Sequence, residues 1–467
     1  MKRQKITSSE LLCAICFALC FFAFMLTEAF INERCAVILG SSAVNPAYTF
    51  GLVCTGLGFF SFSLLRRLCK KEKSRKTAQT ILGILCIGAA MVLLFADHPA
   101  LFLTSSAAAL LLTGHISGCV YYNTSMYFTG SRYTGRLIGT GMGAAILLQF
   151  VVQNLMPQSV AFIISIVFSV AFVMCFIIKA PKDWILENPL PYSADTKKEF
   201  KKALFLIVAV VLMSLVAGMI DSVLTAFNAE KSYDIYGGVR LFYALGLILA
   251  GVLADIRERK YLPLSTVCTI LLSSVCMFFL SDEVSYFAGT ALMYLYSGFY
   301  VIFFTVMFLD FAPKSSRPEL WAGMGRIVRS FTVAATVLPA FNIYGAVGNT
   351  VLAVVSCLLS ILILLVLLPY LSNAAVSLKP TEKLTSESPM LSPQERLNLY
   401  AQHCSLTPRE TEVLEKLLTT EDGVQEIADN LYISRRMLQR YIASIYEKTE
   451  TKTRLGLFQS YMNFTAE

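Results

Sequence analysis

Apolar runs of about twenty residues, long enough to cross a bilayer, recur between residues 9 and 371 of the chain. Twelve segments qualify: 9–30, 46–66, 78–95, 100–126, 134–153, 159–179, 203–227, 237–255, 262–280, 285–309, 321–343 and 346–371. Each reads as a helix, because only a helix or a closed barrel satisfies every backbone hydrogen bond in hydrocarbon. A charged stretch from Ala180 to Lys202 separates the sixth from the seventh, which predicts a six-plus-six bundle. Past Leu371 the pattern changes. "SNAAVSLKPTEKLTSESPMLSPQ" is rich in Ser, Thr, Pro and Glu and reads as a flexible linker. A short helix is expected after it, over Pro393 to Gln402. Residues 405–467 then place apolar residues at helical spacing in short amphipathic segments. The expected fold class is all-α: a twelve-helix membrane bundle over 1–371, a linker over 372–404 and a small four-helix domain over 405–467.

Composition agrees with the pattern. Hydrophobic residues make up 56% of the chain and charged ones 15%, and the mean hydropathy is +0.63. The start, "MKRQKITSSELLCAICFALCFFAFML", has a basic head and an apolar core like a secretory signal. Its apolar part is too long and no small-residue cleavage site follows, so it is read as a first span that stays. Most of the 13 cysteines lie inside apolar segments without metal-ligand spacing and read as small buried hydrophobes.

Charge position carries more than the net +8. Lys2, Arg3 and Lys5, "RRLCKKEKSRK" (Arg66 to Lys76), Arg132, Arg136, the middle loop, "RERK" (Arg257 to Lys260), Lys314 and Arg317 all fall on one side of the bundle. The opposite loops hold mainly Glu33, Arg34, Asp97, Glu230, Lys231, Asp234, Asp282 and Glu283. The cationic side is expected to be cytoplasmic. An even number of spans returns the C-terminus to the side of the N-terminus, so both ends are expected inside a bacterial cytoplasmic membrane.

In the tail, "LTPRETEVLEKLL" opens with a helix start. Thr407 can cap, Pro408 suits the first helical position, and Glu410 completes a capping box. Val413, Leu414, Leu417 and Leu418 form a core face. After "TTEDG" the segment "VQEIADNL" buries Ile427, Ala428 and Leu431, and "YIS" is a turn in which Ser434 caps the next helix. At 100° per residue, Leu438, Ile442 and Ile445 face inward and Arg436, Arg440 and Ala443 face out, with Gln439 beside them. Arg can grip guanine and Gln adenine at their major-groove edges, while a small alanine permits close approach. Ser434, Arg435, Arg436, Gln439, Arg440, Tyr441 and Ala443 are therefore candidate DNA-contacting residues, with Lys448, Lys452 and Arg454 as candidate phosphate contacts. Acidic residues slightly outnumber Lys and Arg from Ser405 onward, so bulk charge cannot supply the affinity.

"LTPRETEVL…EIADNLYISRRMLQRYIASIYEK…TKTR" resembles the LuxR-type helix-turn-helix. Leu406, Thr407, Arg409, Glu410, Glu412, Val413, Leu414, Glu426, Ile427, Ala428, Leu431, Ile433, Ser434, Lys448 and Arg454 match its pattern. Met437, Leu438, Gln439 and Tyr441 depart from it where Thr, Val, Lys and His are usual. The resemblance implies binding to double-stranded DNA, and dimerisation through the closing helix "TRLGLFQSYMNF". The six-plus-six layout resembles the major facilitator superfamily, and "GVLADIRERK" resembles that family's loop after the second span of a half. Gly251, Asp255, Arg259 and Lys260 are carried over as a conformational loop in which Asp255 pairs with cations. The equivalent place in the first half, "SFSLLRRLCKKEK", lacks the pattern.

Soluble regions show no Ser/His/Asp set, paired carboxylates, phosphate loop or metal cluster. Neither an enzyme, a cofactor nor a metal is therefore expected. Ionisable residues inside membrane spans are costly and default to functional candidates. They are Glu28 near the end of the first span, His115 in the fourth, Asp221 in the seventh and Arg240 at the start of the eighth. Asp221 is the leading candidate for a ligand or proton site; the alternative is a carboxylate neutralised by protonation or paired with a neighbour such as Arg240. His115 reads better as a packed histidine. Arg326 and Arg329 lie near one end of the eleventh span, where snorkelling would account for them. Two functions follow. In one, the bundle senses a small molecule or membrane signal and controls the DNA-binding tail; in the other, it is a secondary transporter carrying a regulatory domain.

Overall fold

The computed structural model describes residues 6–69, 71–129, 131–179, 196–229, 237–256, 259–279, 283–376, 393–420, 422–451 and 453–463. Two compact units emerge, Met1–Val376 and Ser377–Glu467. Among the described residues both are built of helices alone.

The first unit contains α1 (Ser8–Ile38), α2 (Val44–Leu68), α3 (Glu72–Leu94), α4 (Pro99–Tyr127), α5 (Thr134–Leu155) and α6 (Gln158–Lys179). A second set follows: α7 (Thr196–Ala229), α8 (Arg240–Ala254), α9 (Tyr261–Cys276), α10 (Glu283–Phe311), α11 (Pro318–Val347) and α12 (Asn349–Val376). Ten of the twelve are long and apolar enough to cross a membrane, and the chain is a multi-pass membrane protein. The other two are shorter than the hydropathy pattern predicts, α8 with 15 residues and α9 with 16. Gly237 and Gly238, poor helix formers, precede α8 in a turn closed by the Arg240 amide on the Gly237 carbonyl. A short 3-10 turn, Met277–Phe279, prolongs α9. The first helix is longer than predicted, because Asn32 and Cys35 remain buried and the helix runs on to Ile38.

Within each set the helices pack locally: α1 lies on α4, α5 and α6, and α10 on α8 and α9. The sets meet through α5 on α8 and through α2 on α11. Small residues make the first contact close. A Cβ at Gly139 would sit 2.5 Å from the Leu247 carbonyl oxygen and 2.7 Å from the Gly251 Cα. Only glycine permits that approach.

The second unit contains α13 (Pro393–His403), α14 (Pro408–Thr419), α15 (Val424–Asn430), α16 (Arg435–Lys448) and α17 (Arg454–Asn463). Leu397 and Tyr400 from α13 share one core with Val413, Leu414, Ile427, Ala428, Leu438, Ile445 and Leu457. The Tyr400 hydroxyl donates to Ser460 Oγ at 2.8 Å, and its ring meets Tyr461 edge-on at 5.4 Å. These contacts attach α13 to the closing helix.

Candidate functional sites

In the tail, three caps set the positions of the helices. Thr407 Oγ1 accepts from the Glu410 amide and the Glu410 carboxylate accepts from the Thr407 amide at 2.7 Å, a complete capping box. The Glu426 carboxylate accepts from the Gly423 amide at 2.8 Å. Ser434 Oγ accepts from the Met437 amide and starts α16. Between α15 and α16 the chain turns at Tyr432, whose φ of 54° lies in the left-handed region and whose side chain is 96% exposed.

One face of α16 is anchored by Leu438 and Ile445, both fully buried. Arg435, Arg436, Gln439, Arg440 and Ala443 are exposed, and among the described residues no ion pair engages any of the three arginines. They form a ridge of free donors on the second helix of a helix-turn-helix. Tyr441 is half-buried and packs against the core instead of joining that ridge.

Two of the three candidate phosphate contacts are otherwise engaged. Lys448 Nζ binds Glu410 at 2.7 Å, and Ser444 Oγ donates to the same carboxylate at 2.6 Å. Arg454 donates to the carbonyls of Leu417 at 2.9 Å, Asp422 at 2.8 Å and Thr420. These are the free carbonyls at the end of α14 and in the loop after it, so Arg454 ties that loop to α17. Lys452 lies outside the described residues. Burial pushes the Glu410 carboxyl up, but hydrogen bonds from Lys448, Ser444 and Thr407 outweigh it and hold the group down to about 2.

In the membrane unit, a central cavity with about 750 Å³ of space free of atoms, its open part included, lies between the two sets of helices. Glu28, Asp221, Arg240, Arg326 and Arg329 line it. Asp221 is paired, but with Arg329 at 3.1 Å and not with Arg240, and the Tyr48 hydroxyl donates to it at 2.9 Å. Arg240 donates to Gln149 Oε1 at 3.1 Å, and Gln149 in turn donates to the Met25 carbonyl. Glu28 lies about 15 Å from the end of α1, since α1 continues ten residues beyond it.

His115 does not reach this cavity. It is buried between α2, α3 and α4, with Nδ1 2.7 Å from Ser61 Oγ and Nε2 3.2 Å from Gln79. Conversely, Arg326 and Arg329 are cavity residues and do not snorkel. They sit eight and eleven positions into α11, roughly 12 and 17 Å along its axis, too deep to reach solvent at its end. The clue available in the sequence was "GRIVRS", two arginines one turn apart in an apolar helix.

At the end where α1 begins, polar contacts join the two sets. Asp255 accepts from the amides of Gly135 at 2.7 Å and Arg136 at 2.8 Å, at the start of α5, and pairs with Arg259. Arg259 also binds Asp310 at 2.7 Å. On the other seam, Glu319 of α11 binds Arg67 at 3.2 Å and Arg66 at 3.5 Å, both from α2. This second clamp lies in the stretch of the first half that lacks the loop pattern. Gly251 touches α5 directly, and Lys260 precedes α9. Among the described residues no group of three His, Cys, Asp or Glu side chains gathers as a metal site would require.

Residues 404–460 match the family of bacterial regulatory proteins, luxR family. The chain's fold matches the crystal structure of the human organic anion transporter MFSD10 (TETRAN) with a TM-score of 0.55 and 12% identity, over 77% of this chain and 98% of that one. At that identity the likeness is one of fold. No curated protein sequence matches the chain. The chain thus carries a C-terminal segment that matches the luxR family, and shares over most of its length the fold of that transporter.

Proposed function

We propose that this chain is a membrane-anchored transcriptional regulator, in which the facilitator-type bundle senses a small molecule or membrane signal and controls DNA binding by the tail. One observation carries the reading: the luxR-family domain presents Arg435, Arg436, Gln439 and Arg440 outward from its second helix. Arg66, Arg67, Arg136 and Arg259 cluster at the end where α1 begins, which the positive-inside rule assigns to the cytoplasm. An even number of spans then puts the tail beside the chromosome in a bacterial inner membrane. In α17, Phe458 remains exposed beside the buried Leu457 and supports pairing of two copies through that helix. Specificity rests on the α16 ridge at the major groove, while lipid is the solvent of the bundle.

The test is genome-wide crosslinking of the intact protein to DNA, compared with an Arg436→Ala/Arg440→Ala double variant. Specific sites should appear for the native chain and vanish for the variant; equally rich profiles would defeat the assignment of the reading face. A second reading, a secondary transporter with a regulatory tail, is favoured by the charged cavity and by clamps on both seams at one end of the bundle. The fold neighbour is also titled a transporter. Solute uptake into proteoliposomes that depends on Asp221 would select it. Sensing predicts DNA binding that responds to a ligand while uptake stays absent.

A further inference from the structure

Three arginines and two carboxylates line the central cavity. Even with both carboxylates ionised, one positive charge is uncompensated in an apolar surround, where an unpaired cation is costly. Arg326 is one site of that excess. Its side chain is 6% exposed, and among the described residues no carboxylate pairs with it. Its Nε donates to the Tyr121 hydroxyl at 3.0 Å, which leaves the guanidinium charge in place, and its Nη2 has no partner. The guanidinium carbon lies 5.2 Å from the ring centres of both Phe21 and Phe304 and 5.9 Å from that of Phe24. One turn along α11, Arg329 uses Nη2 on Asp221 and leaves its own buried Nε without a partner.

We propose that the cavity binds a small organic anion, whose acidic group accepts from Arg326 Nη2 and Arg329 Nε and whose apolar part lies against Phe24 and its aromatic neighbours. Residues three apart on a helix share a face, so one oxyanion can meet both guanidinium groups. A planar guanidinium matches carboxylate or phosphate geometry and loses less on desolvation than an ammonium. A cationic ligand is disfavoured by the same count of charges. A neutral ligand would leave Arg326 unbalanced. The inference rests on reading the bundle as the sensing part, and it names the class of molecule sensed.

The experiment is thermal unfolding of the full-length protein in detergent, followed with a thiol-reactive dye, since Cys16, Cys20 and Cys119 are buried in the bundle. Phenylacetate and phenylphosphonate are titrated against neutral phenylacetamide and cationic benzyltrimethylammonium at constant ionic strength. The expected result is a saturable rise in Tm with an anion and none with the amide or the cation. Arg326→Gln should weaken that response at least about tenfold, the scale of one charge-assisted hydrogen bond. Arg326→Lys, which keeps the charge but loses the fork, should fall between, and still decides the matter if the Gln variant fails to fold. Glu28→Gln, which removes a competing carboxylate, should bind the anion at least as tightly as the native chain. A merely structural role for Arg326 would not produce that last result. Equal response to the amide, a response untouched in both Arg326 variants, or a flat response to both anions would overturn the proposal. Crosslinking to DNA with and without anion separates the two readings. Binding that leaves DNA occupancy unchanged upholds the cavity assignment and removes the sensory one. A flat thermal response beside signal-dependent DNA occupancy does the reverse.

Discussion

Glu410 joins three parts of the tail domain in one carboxylate, so replacing it gives a quantitative test of how the reading helix is held. Its oxygens accept from the Thr407 amide at 2.7 Å, from Ser444 at 2.6 Å and from Lys448 at 2.7 Å. The first bond caps α14, and the other two fasten the far half of α16 to it. The carboxyl is held down to about 2 against an ordinary value of 4.5. A shift of that size corresponds to about 3 kcal/mol at about 1.4 kcal/mol per unit, an upper value because Lys448 is one-third exposed and solvent screens the pair.

The sign follows from linkage. A carboxyl with a depressed folded value stabilises the domain fully above its unfolded value, near 4.5. That stability is lost progressively as pH falls from about 5 toward 2. Glu410→Gln should therefore lower the stability of a fragment spanning residues 393–467 by about 2–3 kcal/mol at pH 7, measured by urea unfolding followed by far-UV circular dichroism. Its disadvantage should shrink as pH falls through the same window, because the native carboxylate is then protonated too. The reasoning fails if the native and Gln curves run parallel from pH 7 to pH 3. It also fails if the two proteins differ by less than about 0.5 kcal/mol at pH 7, since surface substitutions alone reach that size.

Three further substitutions probe other joints. Tyr432 adopts a left-handed backbone with nearly all of its side chain in solvent, so Tyr432→Gly should raise the stability of the tail by about 1 kcal/mol by relieving that strain; urea unfolding reads it, and a loss would mean the ring has an unseen contact. Gly139→Ala places a methyl against backbone on α8 that cannot rotate away. It should cost about 1–3 kcal/mol and appear as a lower Tm of the full-length protein, whereas Gly88→Ala, with nothing within 4 Å, should not. Asp221→Asn breaks the ion pair with Arg329 and should cost about 2 kcal/mol, more than Tyr48→Phe, which removes only one hydrogen bond to the same carboxylate; an equal effect on Tm would place the charge elsewhere.

Which features were legible in the chain depends on the range of the interaction behind them. The spans could be read because each satisfies its own backbone, and the outward ridge of α16 because helical periodicity assigns faces without reference to any partner. The capping box at Thr407 and Glu410 is equally local, three residues long. Charge pairing is not. Asp221 meets Arg329 across 108 positions and Arg66 meets Glu319 across 253, distances at which periodicity carries no information. Long cationic side chains are the hardest case, because pattern shows where they start and not where they end. Lys448 and Arg454 sit where phosphate contacts were expected, yet one reaches back to a helix cap and the other forward to a helix end. Arg326 is the mirror image, written off to solvent by its place near the end of a span and found instead among three aromatic rings.

That asymmetry bears on how the two units divide the work. In the tail, Lys448 and Arg454 bond within the protein, whereas Arg435, Arg436 and Arg440 project from the reading helix with no ion pair among the described residues. In the bundle, carboxylates engage Arg66, Arg67, Arg136 and Arg259 at the end where α1 begins, and at the centre no described carboxylate pairs with Arg326. A folded chain holds a buried cation without a counter-charge only when the surrounding packing outweighs its desolvation, and an anion entering the cavity would relieve that cost. Arg326 lies on α11, the helix that also bears Glu319 of the α2–α11 clamp and packs against α7. An anion drawn to Arg326 and Arg329 would compete for Arg329 with Asp221 of α7, and so pull on a seam between the two halves. The same helix thereby links cavity occupancy to the clamp nearest the proposed cytoplasmic face, a coupling that an Arg66→Gln/Arg67→Gln variant should disconnect: anion binding would persist, and its effect on DNA occupancy would fall.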